Sequence, residues 1–182
     1  MSLFSLKFLP KNIQQFLLRS LISFVVWKIF YHVLLLPARI PDRQLTNVTT
    51  YLTQQLLYIN YPNATITVEE KLSPLPRNIV YLNNKKVVGL ADGCNGLELY
   101  VLYLGFLLAF LAPPKKIILY SLLGISIIFI LNTIRCYAIT LLNINGSSLS
   151  EVAHHYIFKL MIYGVMFLLW VKYTKSTQKN EA

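Results

Sequence analysis

Charge is what this chain has least of. Of its 182 residues only 13% are charged and only seven are acidic, where a soluble domain is about a quarter charged. That shortage excludes an ordinary soluble domain, and with 55% hydrophobic residues the excess of Leu, Ile, Phe and Tyr is expected to sit in lipid. Cysteine is scarce too: two residues and no CxxC, so neither a disulfide framework nor a sequence-evident zinc site is expected. No internal repeat and no row of ion ligands is visible, which argues against a small transporter or channel. Acids are outnumbered by seventeen Lys and Arg, for a formal net charge of +10. This excess needs no nucleic acid to explain it, because multi-spanning proteins keep Lys and Arg in their cytoplasmic loops.

What the chain does have is long apolar runs. A spanning helix needs about twenty mostly apolar residues to cross a core of about 30 Å. Four segments come close, at about 12–36, 95–112, 117–142 and 154–173. The first resembles an export signal but is long and lacks a small-x-small cleavage site after it, so it reads as an anchor. The second stops at Pro113-Pro114, which cannot continue a helix. The fold class expected is an all-α membrane bundle of about four transmembrane helices with a small extracytoplasmic α+β cap, all one domain over 1–182.

Basic residues near the span ends orient the bundle. Lys7, Lys11 and Arg19 lie at the first span, Lys115 and Lys116 fill the turn between the second and third, and Lys172, Lys175 and Lys179 close the chain. The loop between the third and fourth spans has none. Both termini and the double-lysine turn are therefore expected in the cytoplasm. The long outer loop, about 37–93, holds six Lys and Arg with four acids, and a loop of that length weighs less in the rule. Within it, Leu45, Val48, Leu52, Leu56 and Ile59 recur at helical spacing, reading as an amphipathic helix against the outer leaflet. Ala64 to Val68 alternates like a strand, and Ile79 to Leu82, Asn83-Asn84 and Val87-Val88 resemble a hairpin. So small a sheet is expected to cap the bundle rather than stand alone.

Polar groups at membrane depth must be paired or used, and here they converge. Cys94 stands between Asp92-Gly93 and Asn95-Gly96 at the outer start of the second span. Arg135 lies nineteen residues beyond Lys116, about 29 Å at helical rise, so it emerges near the outer boundary. His154 and His155 open the fourth span. Thiols at a helix N-terminus beside cationic groups ionise more readily and become effective nucleophiles. Imidazole can take and return a proton near neutral pH, and a guanidinium is a fixed donor to an oxyanion or an anchor for substrate. Together these groups describe acyl transfer by a thiol. Singly each has a plainer reading: a small buried cysteine, a snorkelling arginine, an interfacial polar pair. Cys136 follows Arg135 but points about 100° away and reads as packing. Glu98, one turn below Cys94, is placed to pair with Arg135, to orient a histidine or to form a structural ion pair. Asn132 shares a face with Arg135, where helix-to-helix hydrogen bonding is its plainer role. Lys28 and Lys159 lie inside spans, where lysine snorkels by default.

At these residues the sequence resembles the exosortase and archaeosortase family of multi-spanning membrane enzymes. Cys94-Asn95-Gly96 at a span start, Asn132-Thr-Ile-Arg135 in the next span and a histidine opening the last carry the resemblance, over about 93–170. Trp27-Lys28 and the stretch from Arg39 to Thr46 are also similar to the compact branch of Bacteroidetes, in particular the type called exosortase X. The resemblance implies a sortase-like cysteine transpeptidase in the bacterial inner membrane with its site facing outward. It implies partners too: exported proteins with a C-terminal signal of short motif, apolar helix and basic tail. Carried over residue by residue, Cys94 is the nucleophile, Arg135 the oxyanion or substrate ligand, and His154 or His155 the acid and base. Such chemistry needs no metal or organic cofactor. The chain is shorter than relatives with eight or so spans, which implies a minimal core and possible membrane partner subunits. The residue after Cys94 is Asn where many relatives carry Ser or Ala. The other class of function to weigh is a non-catalytic subunit of an export or assembly complex, in which the same polar groups only hold helices together.

Overall fold

The computed structural model describes residues 10–110 and 112–178. Lys7 and Lys179, used in the charge count, lie outside the described residues. The chain is mostly helical. Helix α1 (Lys11–Phe30) runs through a π-helical turn (Tyr31–Leu35) into the short α2 (Leu36–Ala38). The corner that follows turns at Arg39, whose φ of 53° is left-handed, and leads into α3 (Asp42–Asn60). Three strands come next: β1 (Ile66–Lys71), β2 (Arg77–Leu82) and β3 (Lys85–Ala91), an antiparallel meander in the order β1-β2-β3. A 3-10 turn (Asp92–Cys94) then enters α4 (Leu97–Ala109), and α5 (Pro114–Ile144) returns through the bundle. The last arm is α6 (Leu149–Val152), a π-helical turn (Ala153–Ile157) and α7 (Phe158–Gln178).

Among the described residues three helical stretches are long and apolar enough to cross a membrane: Ile13–Ala38, Pro114–Ile144 and Leu149–Thr177. The second expected span is shorter than its sequence suggested. Helix α4 has 13 residues, about 20 Å at 1.5 Å per residue. Its start is delayed by the 3-10 turn and by Gly96 at a φ of 87°, and its end comes early because Phe110 is already extended. The architecture is a helical membrane bundle with a small sheet cap.

Helix α5 is the spine. Its 31 residues measure about 46 Å, well beyond a bilayer core of about 30 Å. The lower part packs with α4 and α7 around Tyr103, Leu107, Ile128, Ile162 and Met166. The upper part leaves this core and carries the sheet, with Cys136 buried against Leu57, Ile66, Val80 and Leu90. Arg135 stands where the one core gives way to the other. Helix α1 is the loosest arm, with none of its spanning window buried and its packing directed at α4.

The cap follows the expected pattern with one addition. Asn83 and Asn84 both have positive φ, 49° and 65°, the conformation that a two-residue hairpin turn requires. Helix α3 forms where the apolar repeat placed it, and Val48 and Ile59 of that stripe are exposed. The face turned to α5 and the sheet is instead Asp42, Thr46, Thr49, Thr50, Thr53 and Leu57. Threonines suit it because Thr50 and Thr53 donate their hydroxyls to the carbonyls of Thr46 and Thr49, leaving small methyl surfaces that let helices approach closely.

Close approach also decides one glycine. A Cβ built on Gly124 of α5 falls 2.0 Å from the ring of Tyr103, a fully buried side chain whose hydroxyl donates to the Tyr120 carbonyl at 2.9 Å. Gly124→Ala is expected to destabilise the bundle by about 1–3 kcal/mol through overpacking, and to cost less than that in a Tyr103→Ala background, where the ring it meets is gone. Thermal unfolding in detergent checks it. Equal midpoints for Gly124→Ala and the parent would show that α4 and α5 do not meet here.

Candidate active site

The turn that carries Cys94 is held from both sides. Before it, Asp92 accepts from Arg39 Nε at 2.8 Å and Nη2 at 3.1 Å and from Thr46 Oγ1 at 2.9 Å. After it, Asn95 donates to Asp42 Oδ1 at 2.7 Å and to the Asp42 carbonyl at 3.3 Å, while its own Oδ1 accepts from the Leu97 amide at 2.8 Å. That last bond satisfies one of the free amides that every helix start leaves. Asp42 is fixed in turn by the Tyr31 hydroxyl at 2.8 Å. From α5, Asn132 Nδ2 donates to the Cys94 carbonyl at 3.0 Å and Asn132 Oδ1 accepts from Arg135 Nη1 at 3.3 Å. Thus Asn132 joins the cysteine's backbone to the arginine's side chain.

Cys94, Arg135, His154 and His155 border one pocket of about 230 Å³. Its floor is Cys136 and Ile139 of α5, its wall is Val88 to Leu90 of β3, and Glu151 lies on its rim. Cys94 and His154 are half-buried and His155 is exposed. The π-helical turn Ala153–Ile157 holds both histidines, and their rings meet edge to face at 5.0 Å between centroids. Extra width in such a turn re-aims side chains relative to the regular helix on either side, and π turns recur at functional sites. Both cysteines are free, Cys94 reachable and Cys136 buried. A thiol, a guanidinium and two imidazoles around one small cavity can support nucleophilic chemistry with proton transfer.

Arg135 is 8% exposed, and its Nε is buried without a hydrogen-bond partner. Among the described residues the ion pairs join Lys28 to Glu98, Arg39 to Glu70 and to Asp92, and Arg43 to Glu70; Arg135 is in none of them. A buried guanidinium with no counter-charge is costly and is left ready for an oxyanion or a carboxylate. Glu98 does not supply that charge. It turns toward α1 and accepts from Lys28 Nζ at 3.4 Å, with its side chain 82% exposed. Of the roles expected for Glu98, the structural ion pair is the one formed, with Lys28; α4 starts only at Leu97, after Cys94.

Hydropathy and spacing did not single out the clamp of Arg39, Asp92, Asp42 and Tyr31. The stretch from Arg39 to Thr46 was visible only as part of a resemblance, without roles. A carboxylate two residues before a candidate thiol was the signal that distance in sequence concealed, since its partner lies 53 residues earlier.

A helical membrane bundle with a thiol-bearing pocket at one end is the class that fold and site define. The chain belongs to the transmembrane exosortase family, whose model matches residues 15–171, a range that contains all four pocket residues and the whole clamp. It is therefore a membrane-embedded protein of a sorting-related family. No curated protein and no solved structure is found to match it.

Two measurements follow from this geometry. A membrane-impermeant maleimide should label Cys94 and leave buried Cys136 unmodified, and Asp92→Asn, which breaks the bidentate bridge, should raise the Cys94 labelling rate severalfold. An unchanged rate would mean that the clamp does not order the turn. The second concerns Glu70, which Arg43, and with it Arg39, holds below the usual carboxylate pKa. A lowered folded-state value means stability that is complete above the unfolded value of about 4.3 and is lost as pH falls through the folded one. Glu70→Gln should therefore lower thermal stability at pH 6 and converge with the parent toward pH 3; a gap that persists there would refute the ionic origin.

Proposed function

We propose that the protein is a membrane-embedded cysteine endopeptidase and transpeptidase that cleaves C-terminal sorting signals of exported proteins and passes the cleaved protein to a surface acceptor. The observation that carries this reading is the grouping of Cys94, Arg135, His154 and His155 around one pocket in a chain of the exosortase family. The site faces outward from the bacterial inner (plasma) membrane with both termini in the cytoplasm, as the lysines at the span ends favour. A substrate tethered by its own apolar helix then presents its scissile bond at the outer boundary, where Cys94 lies.

The chemistry proceeds in two halves. Cys94 Sγ attacks the scissile carbonyl as one histidine takes the thiol proton. Arg135, buried and uncompensated, meets the negative charge that develops on the carbonyl oxygen, where a preorganised cation contributes most. Collapse of the tetrahedral intermediate breaks the C–N bond, the histidine returns the proton to the leaving amine, and a thioester remains on Cys94. An acceptor nucleophile then adds to the thioester carbonyl while the histidine takes its proton, and Cys94 leaves as the thiol. Asn132 and Asn95 act as positioning residues, one on the Cys94 carbonyl and Arg135, the other on the turn.

Processing of a candidate tail-anchored substrate, compared at equal membrane abundance, tests this. Cys94→Ala, Arg135→Ala and one of His154→Ala and His155→Ala should each lose at least about 10³-fold in cleavage rate, whereas Glu98→Gln should retain cleavage. Normal processing by Cys94→Ala would overturn the thiol mechanism and leave a non-catalytic membrane subunit in its place.

A further inference from the structure

A second and larger cavity, about 570 Å³, lies on the other side of Arg135. It is a groove between α1 and α7 with α4 as its floor. It is lined over most of its length by rings and aliphatic chains, Phe16, Phe24, Trp27, Leu102, Phe106 and Trp170 among them. Its outer end is polar, with Lys28, Glu98, Lys159 and Arg135. These charges share the end of the groove where Arg135 also borders the thiol pocket.

Two features point to what fills this groove. The first is charge. Three cations face a single carboxylate, which already accepts from Lys28, and among the described residues neither Lys159 nor Arg135 has an ion-pair partner. Arg135 Nε, Trp170 Nε1 and Ser20 Oγ are buried without hydrogen-bond partners, and all three residues line the groove. The second is length. From Lys28 to Phe16 is twelve residues along α1, about 18 Å, close to one leaflet of a hydrocarbon core of about 30 Å. A spanning helix needs the full depth; an acyl chain hung from a headgroup needs half of it.

We propose that this groove binds one anionic phospholipid of the outer leaflet, its phosphate held by Lys28 and Lys159 and an acyl chain lying along the apolar lining. The phosphate supplies the counter-charge that Lys159 lacks in the protein alone and leaves Arg135 free for the thiol pocket. The lipid also fills the opening that a short α4 leaves between α1 and α7. Arg135 borders both cavities, and the test of lipid binding does not use cleavage.

Trp27 and Trp170 are the two tryptophans of the chain and both line the groove, so intrinsic tryptophan fluorescence reports on its occupant. The full chain is reconstituted in phosphatidylcholine vesicles containing a fixed fraction of dibrominated phosphatidylglycerol or, in parallel, of dibrominated phosphatidylcholine, and quenching gives relative occupancy. The brominated anionic lipid is expected to quench severalfold more effectively. Lys28→Gln and Lys159→Gln should each reduce that preference by about five-fold, the weight of one basic residue at an anionic headgroup. Glu98→Gln, which removes the opposing carboxylate, should increase it, a gain that misfolding does not produce. Equal quenching by the two headgroups, or a preference that the lysine variants leave unchanged, would overturn the proposal. So would relief of quenching by an added apolar transmembrane peptide to the same degree in both lipids, which would give the groove to a helix.

Discussion

The bidentate bridge from Arg39 to Asp92 is the constraint on which the outer end of the molecule depends. Arg39 ends the first membrane arm and Asp92 begins the turn that carries Cys94, so one pair of hydrogen bonds at 2.8 and 3.1 Å joins the entry and the exit of the cap. Both side chains are largely buried, at 18% and 17% exposure, where a guanidinium fork on a carboxylate is stronger than the same pair in water. Arg39 reaches its partner from a left-handed backbone conformation, which costs about 1–2 kcal/mol for a residue with a Cβ. The two bonds to Asp92 and a third to Glu70 of the sheet at 3.0 Å offset that cost. One side chain thereby ties α2, β1 and the Cys94 turn together.

The same constraint explains the reversed polarity of α3. A helix in a soluble cap would bury mostly leucines, but here the buried stripe is Asp42 and four threonines with Leu57 alone of the apolar residues. Asp42 and Thr46 must face inward because they are the helix's contacts with Asn95 and Asp92. The rest of the face follows at helical spacing: Thr49, Thr50 and Thr53 fall on the same side, and Thr50 takes up Asn78 of the sheet at 3.2 Å. Part of the apolar set is left on the outside, where Val48 and Ile59 are exposed. An outward apolar stripe is a normal arrangement only beside lipid or a partner.

Much of this was legible in the sequence because membrane burial and strand pairing leave periodic marks. The anchor helix, the long α5, the last arm, the hairpin at Asn83-Asn84 and the helix at 42–60 could all be placed from hydropathy and turn chemistry. The level of Arg135 followed from helical rise alone, which is why Cys94, Arg135 and the histidines could be grouped before their elements were known. What could not be read is what depends on long separation in sequence. Asp92 and Arg39, or Lys28 and Glu98 at 70 residues apart, carry no local pattern that marks them as partners. Helix α4 was drawn too long because Gly96 and the 3-10 turn consume residues without adding regular helix, and of the roles open to Glu98 only long-range contact selects the ion pair with Lys28.

Arg135 is where these threads meet. It sits at the boundary between the membrane core and the cap core, borders both cavities, and among the described residues has one side-chain hydrogen bond, to Asn132 at 3.3 Å. A structural arginine at such a boundary would be expected to carry a carboxylate partner or a set of backbone carbonyls, because an unpaired buried charge costs several kcal/mol. Its Nη1 bond goes to the residue that also fixes the Cys94 carbonyl, so the guanidinium is oriented without being neutralised. Orientation without neutralisation is the condition for acting on a charge brought from outside. The scaffold around it, from the Arg39 bridge to the threonine face of α3, holds the turn that Asn132 joins to the guanidinium.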